Sequence, residues 1–145
     1  MYFELSISIK RSPADVFAFL RDKDQVAHEE GSPVLVLEKT TPGPPRVGTH
    51  YREVVRMLPF LTGEILSEIT RFEPYRHLEE KFQGAGMHGH LAYQLLPEMD
   101  GTQLIQREMI HYRGVLKYCG PILQVFLSRR LRERLENIKA VLESG

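Results

Sequence analysis

The sequence predicts an α+β fold, in which a curved, seven-stranded antiparallel sheet wraps around one long C-terminal helix, with two short helices after the first strand. Three observations lead to this prediction. The first segment alternates apolar and polar residues, six further strand-like segments follow with short turns, and the last part of the chain changes to a helical period. The chain length of 145 residues fits a single domain over residues 1–145.

The beginning of the chain predicts a strand followed directly by a helix. Residues 2–10 alternate strictly, so one face of this strand is expected to be buried. Ser12 suits the N-cap of a helix, Pro13 its first position, and Asp15 the acidic position of a capping box. A second short helix is predicted over residues 24–30, ended by Gly31.

Six further strands are predicted in the middle of the chain. They cover residues 34–40, 49–58, 62–72, 75–83, 87–96 and 102–112. The segments Gly84-Ala85-Gly86 and Met99-Asp100-Gly101 are short enough to be hairpin turns. Because strands that follow one another with short turns pair antiparallel, the pattern favours a meander over a parallel sheet.

The C-terminal segment predicts one long amphipathic helix. Its apolar stripe has steps of four, four, three and four residues: Leu127, Leu131, Leu135, Ile138 and Leu142. The apolar residues upstream lie nearly all round the helix, so this end is expected to be the more deeply buried: Leu116, Ile122, Leu123, Val125 and Phe126. The arginines beside the stripe alternate with glutamates and are interpreted as a solvated helix face: Arg129, Arg130, Arg132 and Arg134.

Composition limits the classes of partner. The 19 basic and 19 acidic residues give zero formal net charge, which argues against a nucleic-acid partner. No stretch approaches the roughly 20 apolar residues of a membrane span, so no stable membrane insertion is expected. The single cysteine, Cys119, and the absence of a signal-peptide pattern point to the cytoplasm. No cofactor is predicted, and the oligomeric state stays open.

A single helix lying across a strongly curved sheet is expected to leave an internal apolar cavity, which is a natural site for a small hydrophobic ligand. Strand alternation and the helix stripe nominate the side chains that line it. The predicted ligand-binding residues are Tyr51, Val55, Met57, Ile65, Ile69, Phe82, Leu91, Tyr93, Gln106, Leu123, Phe126 and Leu127.

The same alternation places three carboxylates on the inner face, namely Glu53, Glu80 and Glu108. Burial disfavours the charged form of a carboxyl, so the pKa rises toward the range that suits proton transfer. Glu53 and Glu108 are therefore the catalytic candidates, with Tyr51 or Tyr93 as a hydrogen-bond donor to a substrate oxygen. The alternative is structural: Glu53 lies in water at a strand end, or pairs with an arginine such as Arg52 or Arg107.

Three histidines form a candidate metal site. His88 and His90 share one strand face, and a two-residue turn at Asp100-Gly101 would bring His111 opposite His90. Three imidazole nitrogens with an open position are a zinc arrangement. The phase that points Tyr93 inward points both His88 and His90 outward, so exposed histidines on a solvated sheet face are the favoured interpretation.

Several short motifs resemble the START-like (SRPBCC) superfamily, in particular its polyketide cyclase/dehydrase-like branch. They comprise residues 11–17 (RSPADVF), 47–49 (VGT), 69–74 (ITRFEP), Gly101-Thr102 with Leu104, and the helix from Leu131 through Leu142 to Glu143. The resemblance covers about residues 3–143 and implies the helix-grip fold of that superfamily. It implies no defined catalytic signature, because the superfamily includes cyclases, lipid and quinone carriers and receptors.

Three functions therefore remain open. The first is binding of a small hydrophobic molecule, such as a lipid, a quinone or a polyketide-like compound, between sheet and helix. The second is a cyclase/dehydrase-like enzyme that uses a cavity carboxylate as general base. The third is a module that binds a protein partner. Binding is favoured over catalysis because the residues form no sharply defined catalytic constellation.

Overall fold

The computed structural model describes residues 1–23, 34–58 and 60–145. The strands are β1 (Tyr2–Ile9), β2 (Val34–Lys39), β3 (His50–Leu58), β4 (Leu61–Glu73), β5 (His77–Gly84), β6 (Met87–Glu98) and β7 (Gly101–Tyr112). The helices are α1 (Pro13–Arg21), a 3-10 helix (Gly114–Cys119) and α2 (Gly120–Ser144). The helix predicted over residues 24–30 lies outside the described residues, as does the side chain of Met57.

All seven strands form one antiparallel sheet in the order β1-β7-β6-β5-β4-β3-β2. The meander predicted from the short turns accounts for β2 to β7. The first strand joins the far edge of the meander, where Leu5 is paired with Gln106. The curved seven-stranded sheet with its long C-terminal helix confirms the predicted α+β, helix-grip fold.

Helix α1 begins as its sequence predicts. The Ser12 hydroxyl accepts a hydrogen bond from the Asp15 backbone amide at 3.2 Å, and Pro13 takes the first helical position. Phe17 is almost fully buried, and its ring meets the ring of Phe72 edge-on at a centroid distance of 5.2 Å. This packing fixes α1 against the end of β4, and so it helps to position Lys23, which follows the helix.

The two ends of α2 differ in burial. Its C-terminal half buries Leu131, Leu135, Ile138 and Leu142 in the core, as the stripe predicts. The N-terminal half does not follow the prediction: Ile122, Val125 and Phe126 are exposed. The expectation that this end is the more deeply buried is therefore wrong, because these three side chains point away from the buried stripe. In the described part of the chain, no helix is both long and apolar enough to cross a membrane.

The two central hairpins have two-residue turns. Gly84 is paired with Met87, and both residues between them have positive φ, 53° at Ala85 and 76° at Gly86, as a type I′ turn requires. In the next hairpin Glu98 is paired with Gly101, so Met99 and Asp100 form the turn. The register predicted from an Asp100-Gly101 turn is therefore wrong by two residues.

Candidate functional site

A small pocket lies between the inner face of the sheet, the end of α1 and the middle of α2. Its lining consists of Leu20, Arg21, Lys23, Tyr51, Ile69, Leu78, Glu80, Leu91, Tyr93 and Arg134. The pocket encloses about 30 Å³, which is room for about one or two water molecules. Sites for small organic ligands are typically about ten times larger, so this pocket is smaller than such a site.

The predicted ligand-binding residues divide into three groups. Tyr51, Ile69, Leu91 and Tyr93 line the pocket. Val55, Ile65, Phe82 and Gln106 lie on the same inner face outside the pocket lining, and Leu123 and Leu127 of α2 are partly buried. Phe126 lies on the exposed side of α2. The strand faces predicted from alternation are confirmed, whereas the N-terminal part of α2 does not bring Phe126 to the pocket.

Lys23, just after α1, joins three polar side chains of the inner face. Its ammonium nitrogen lies 2.6 Å from Glu53 Oε1, 3.1 Å from Glu80 Oε2 and 3.0 Å from Ser67 Oγ. It also lies 4.8 Å from the centroid of the Tyr51 ring. Burial alone would lower the pKa of Lys23, but the charges of Glu80 and Glu53 outweigh burial and raise it. Lys23 is therefore a charged amine held between two carboxylates.

Glu108 is the inner-face carboxylate that lacks this lysine contact. Burial raises the pKa of Glu108 to about 7, opposed by the charge of Arg134 and assisted by the charge of Glu80. The hydrogen bond from Gln106 also opposes the rise. At neutral pH this carboxyl is therefore present in both protonated and ionised forms, and it can either donate or accept a proton.

Gln106 is the most deeply buried polar neighbour of this carboxyl, with only 1% of the residue exposed. Its Nε2 donates to Glu108 Oε2 at 3.3 Å. Its carbonyl oxygen, Oε1, is buried and has no hydrogen-bond partner within residues 1–23, 34–58 and 60–145. A buried acceptor without a donor carries a desolvation cost, so this oxygen favours any group that brings a hydroxyl or an N–H to it.

Two charged residues of the site escape sequence reasoning. Lys23 lies beyond the last turn of α1 and reaches Glu53 and Glu80 on two strands, a contact that no local pattern encodes. The charge pattern predicts a solvated helix face for Arg134, but this residue lines the pocket and its charge acts on Glu108. Its position beside Leu135 and Leu131, at the flank of the buried stripe, was the available signal.

The histidines do not form the predicted arrangement. His88 is paired with His111, and their rings stack at a centroid distance of 5.0 Å, whereas His90 is paired with Met109. No cluster of three or more His, Cys, Asp or Glu side chains suited to a metal ion occurs in the described ranges. The pairing of His90 with His111 is therefore a wrong prediction, which removes the geometric basis of the metal site.

The sequence from residue 2 to residue 143 matches the protein family described as polyketide cyclase / dehydrase and lipid transport. The chain belongs to this family. The match covers the whole fold, including both halves of α2, and it confirms the resemblance to the polyketide cyclase/dehydrase-like branch. Among curated proteins, no sequence matches the chain.

Several solved structures have a fold similar to that of this chain. The Zhui aromatase/cyclase from Streptomyces sp. R1128 has a TM-score of 0.82 at 14% identity, covering 99% of this chain and 93% of that one. The protein TTHA0849 from Thermus thermophilus has a TM-score of 0.79 at 14% identity, covering 99% and 98%. Ara h 8.0201 has a TM-score of 0.74 at 13% identity, covering 100% and 99%. At these identities the likeness establishes the fold alone.

Proposed function

We propose that this polyketide cyclase/dehydrase-family protein binds a small hydrophobic molecule that carries a hydroxyl group, between the inner face of the sheet and α2. The observation that carries the proposal is the convergence of Tyr51, Leu91 and Tyr93 on one pocket. The apolar surface favours an apolar ligand, and the unsatisfied oxygen of Gln106 on the same face favours a ligand with a hydrogen-bond donor.

A ligand of this class needs more room than the pocket offers, and Lys23 is one of the side chains that occupy this space. Lys23 lines the pocket and is held across the inner face by Glu53, Ser67 and Glu80. Because a lysine side chain is long and flexible, its withdrawal would enlarge the pocket without disturbing the backbone of the sheet. The proposed function therefore includes displacement of Lys23 when the ligand enters.

Native mass spectrometry of freshly purified protein, followed by extraction of any bound molecule, tests the proposal. We expect a stoichiometric apolar passenger, and we expect Leu91→Trp to lose it because the indole ring fills the pocket. Leu66→Trp is the matched control, since Leu66 is exposed on the other face of the sheet. Equal retention of the passenger by both variants, each shown to be folded by urea unfolding, would contradict binding in this pocket.

Catalysis is the second candidate, and the pKa of Glu108 favours it. A carboxyl with a pKa of about 7, fixed beside Gln106, matches the requirement for a general base at neutral pH. Glu53 is the weaker candidate because its carboxylate is paired with Lys23 at 2.6 Å. In this function the bound molecule is a substrate, and Glu108 removes a proton from a carbon next to its carbonyl group.

A further inference from the structure

The outer face of α2 carries an apolar patch, which we define as Ile122, Val125 and Phe126. Their exposed fractions are 77%, 69% and 53%. Tyr118, in the 3-10 helix just before α2, is 85% exposed. Large apolar side chains that lie together in water are unfavourable unless another surface covers them, so this concentration on one short segment requires an explanation.

The apolar patch is not a displaced part of the core stripe. Successive helix residues are rotated by about 100°, which places Ile122 and Phe126 on the side of α2 opposite Leu131 and Leu135. Leu131 and Leu135 are buried, so one side of the helix packs on the core and the opposite side does not. The C-terminal half fixes α2 to the sheet, and the N-terminal half presents a second apolar side to the outside.

Basic residues outnumber acidic ones around the apolar patch, although the whole chain has equal numbers of both signs. Residues 109–132 contain five basic residues and no aspartate or glutamate, and two exposed glutamates, Glu133 and Glu136, follow one turn after Arg129 and Arg132. The basic residues are Arg113, Lys117, Arg129, Arg130 and Arg132. Arg129 and Arg132 are exposed and follow Val125 by four and seven residues, so they continue the outer face of the apolar patch. Arg130 lies with its guanidinium 5.8 Å from the centroid of the Phe126 ring.

From this combination we infer that the outer face of α2 docks on an anionic lipid surface. An exposed apolar face with aromatic and basic neighbours is the pattern of a helix that lies in the plane of a membrane interface. The apolar patch enters the boundary between headgroups and acyl chains, and the arginines meet the lipid phosphates and carboxylates. This contact lies along the surface and differs from a membrane span.

The charges argue against a second copy of the chain as the occupant. A symmetric dimer through this face brings the same patch of each protomer together. Such a dimer would bring five basic residues and only two exposed glutamates, Glu133 and Glu136, of each copy against the same set of the other, so basic residues would outnumber the acidic residues that could pair with them. An anionic surface has the complementary charge and tolerates the exposed aromatic side chains.

Flotation with phosphatidylcholine vesicles, with and without phosphatidylserine, tests the inference on the full chain. We expect binding to the vesicles that contain phosphatidylserine at ~0.1 M salt and a clear loss at ~0.5 M salt. The variant Ile122→Ser/Val125→Ser/Phe126→Ser should bind roughly ten-fold more weakly or worse. In the variant Arg129→Gln/Arg132→Gln, the affinity for vesicles that contain phosphatidylserine should fall about five-fold for each arginine removed.

Two matched controls separate this site from general surface effects. Val141→Ser removes an apolar side chain from the same helix, 49% exposed but close to its C-terminal end, and should bind like the wild type. Lys10→Gln removes an exposed charge beside β1 and should also leave binding unchanged. Thermal unfolding checks that every variant is folded.

Three results would overturn the inference. The first is a wild-type protein that floats with neither vesicle or equally with both. The second is full binding by the triple serine variant. The third is a dimer, seen by sedimentation, that the triple serine variant dissociates, since the patch would then be covered by a second copy. None of these results bears on the internal pocket, because the apolar patch lies on the other side of α2.

Discussion

Glu80 on β5 and Glu108 on β7 are separated on the inner face of the sheet by Leu91 of β6, which is paired with both. Glu80 is held by Lys23 at 3.1 Å, whereas Glu108 has a pKa raised to about 7. The two carboxyls therefore have different surroundings: Glu80 is paired with an ammonium group, whereas burial dominates the pKa of Glu108. The first three predictions follow from this difference.

The raised pKa of Glu108 predicts that stability depends on pH. The folded protein holds the proton of Glu108 up to about pH 7, whereas the ordinary value is 4.5, so the free energy of unfolding falls as the pH rises between these values. The expected loss from this group is about 3 kcal/mol. Urea unfolding at several pH values should show that Glu108→Gln removes this part of the pH dependence. Glu136→Gln, an exposed change on α2, should keep it; equal pH dependence in all three proteins would contradict the prediction.

Removal of the Lys23 ammonium leaves two carboxylates together in the interior. We expect Lys23→Met to lower the free energy of unfolding by roughly 3 kcal/mol, because Glu53 and Glu80 lose their shared cation. Chemical denaturation measures the change, and Lys23→Met/Glu53→Gln/Glu80→Gln should recover part of the loss. A single Lys23→Met variant as stable as the wild type would show that the ammonium group does not stabilise the fold.

If the bound molecule is a substrate, substitutions of Glu108 and Glu53 should differ in their effect on turnover. We expect Glu108→Gln to reduce kcat/KM by about a hundred-fold or more, and the wild-type rate to rise with pH through about 7 as Glu108 ionises. Glu53→Gln is the control and should retain the pH profile, since Glu53 already pairs with Lys23. The base assignment fails if Glu108→Gln turns over the extracted molecule at the wild-type rate.

The lowered pKa of His88, on the outer face of the sheet, predicts a pH dependence of stability that is opposite in sign to that of Glu108. Burial lowers the pKa of His88, and Arg113, His111 and His90 lower it further. The folded protein therefore resists protonation at this site, so stability falls as the pH falls below the ordinary value of 6.5. We expect the stability of His88→Leu, measured by thermal unfolding, to increase relative to that of the wild type as the pH falls from about 7 to about 5.

The matched change for this prediction is His90→Leu, which lies on the same strand and is exposed. It should follow the wild type over the same pH range more closely than His88→Leu does. The imidazole Nδ1 of His88 is buried and has no hydrogen-bond partner in the described segments, which is why its removal is expected to be tolerated. A loss of stability in His88→Leu that grows at low pH would contradict the account.

The sequence predicts the inner surface of the sheet well and its charged contacts poorly. Strand alternation has a period of two, so it places Tyr51 and Gln106 inward without knowledge of the rest of the fold. The register of His88 with His111 depends on which two residues form the turn, and Met99-Asp100-Gly101 allows more than one choice. Lys23 reaches its partners only through the tertiary fold, because Glu53 is thirty residues away in the chain.

The long helix shows a second limit of sequence reasoning. The apolar residues near Phe126 are consistent both with deep burial and with an outward-facing surface, because hydrophobicity reports a preference for leaving water and does not identify what replaces it. The stripe from Leu131 to Leu142 is predicted correctly since its period singles out one side. Arg134 lies at the border of that stripe. At this position a small rotation of the helix about its axis determines whether the side chain points to the pocket or to the solvent.

The pairing of β1 with β7 has a consequence for the order of folding. Strands β2 to β7 pair with neighbours in the chain, but Leu5 is paired with Gln106, about a hundred residues later. Closing so long a loop costs entropy before any contact repays it, so this pairing is expected to be a late and slow step. During synthesis the apolar side chains of β1, including Phe3 and Ile9, must stay uncovered until β7 has left the ribosome. We therefore expect β1 to be the segment of the nascent chain that is most prone to aggregate. A chaperone that covers β1 would reduce this aggregation.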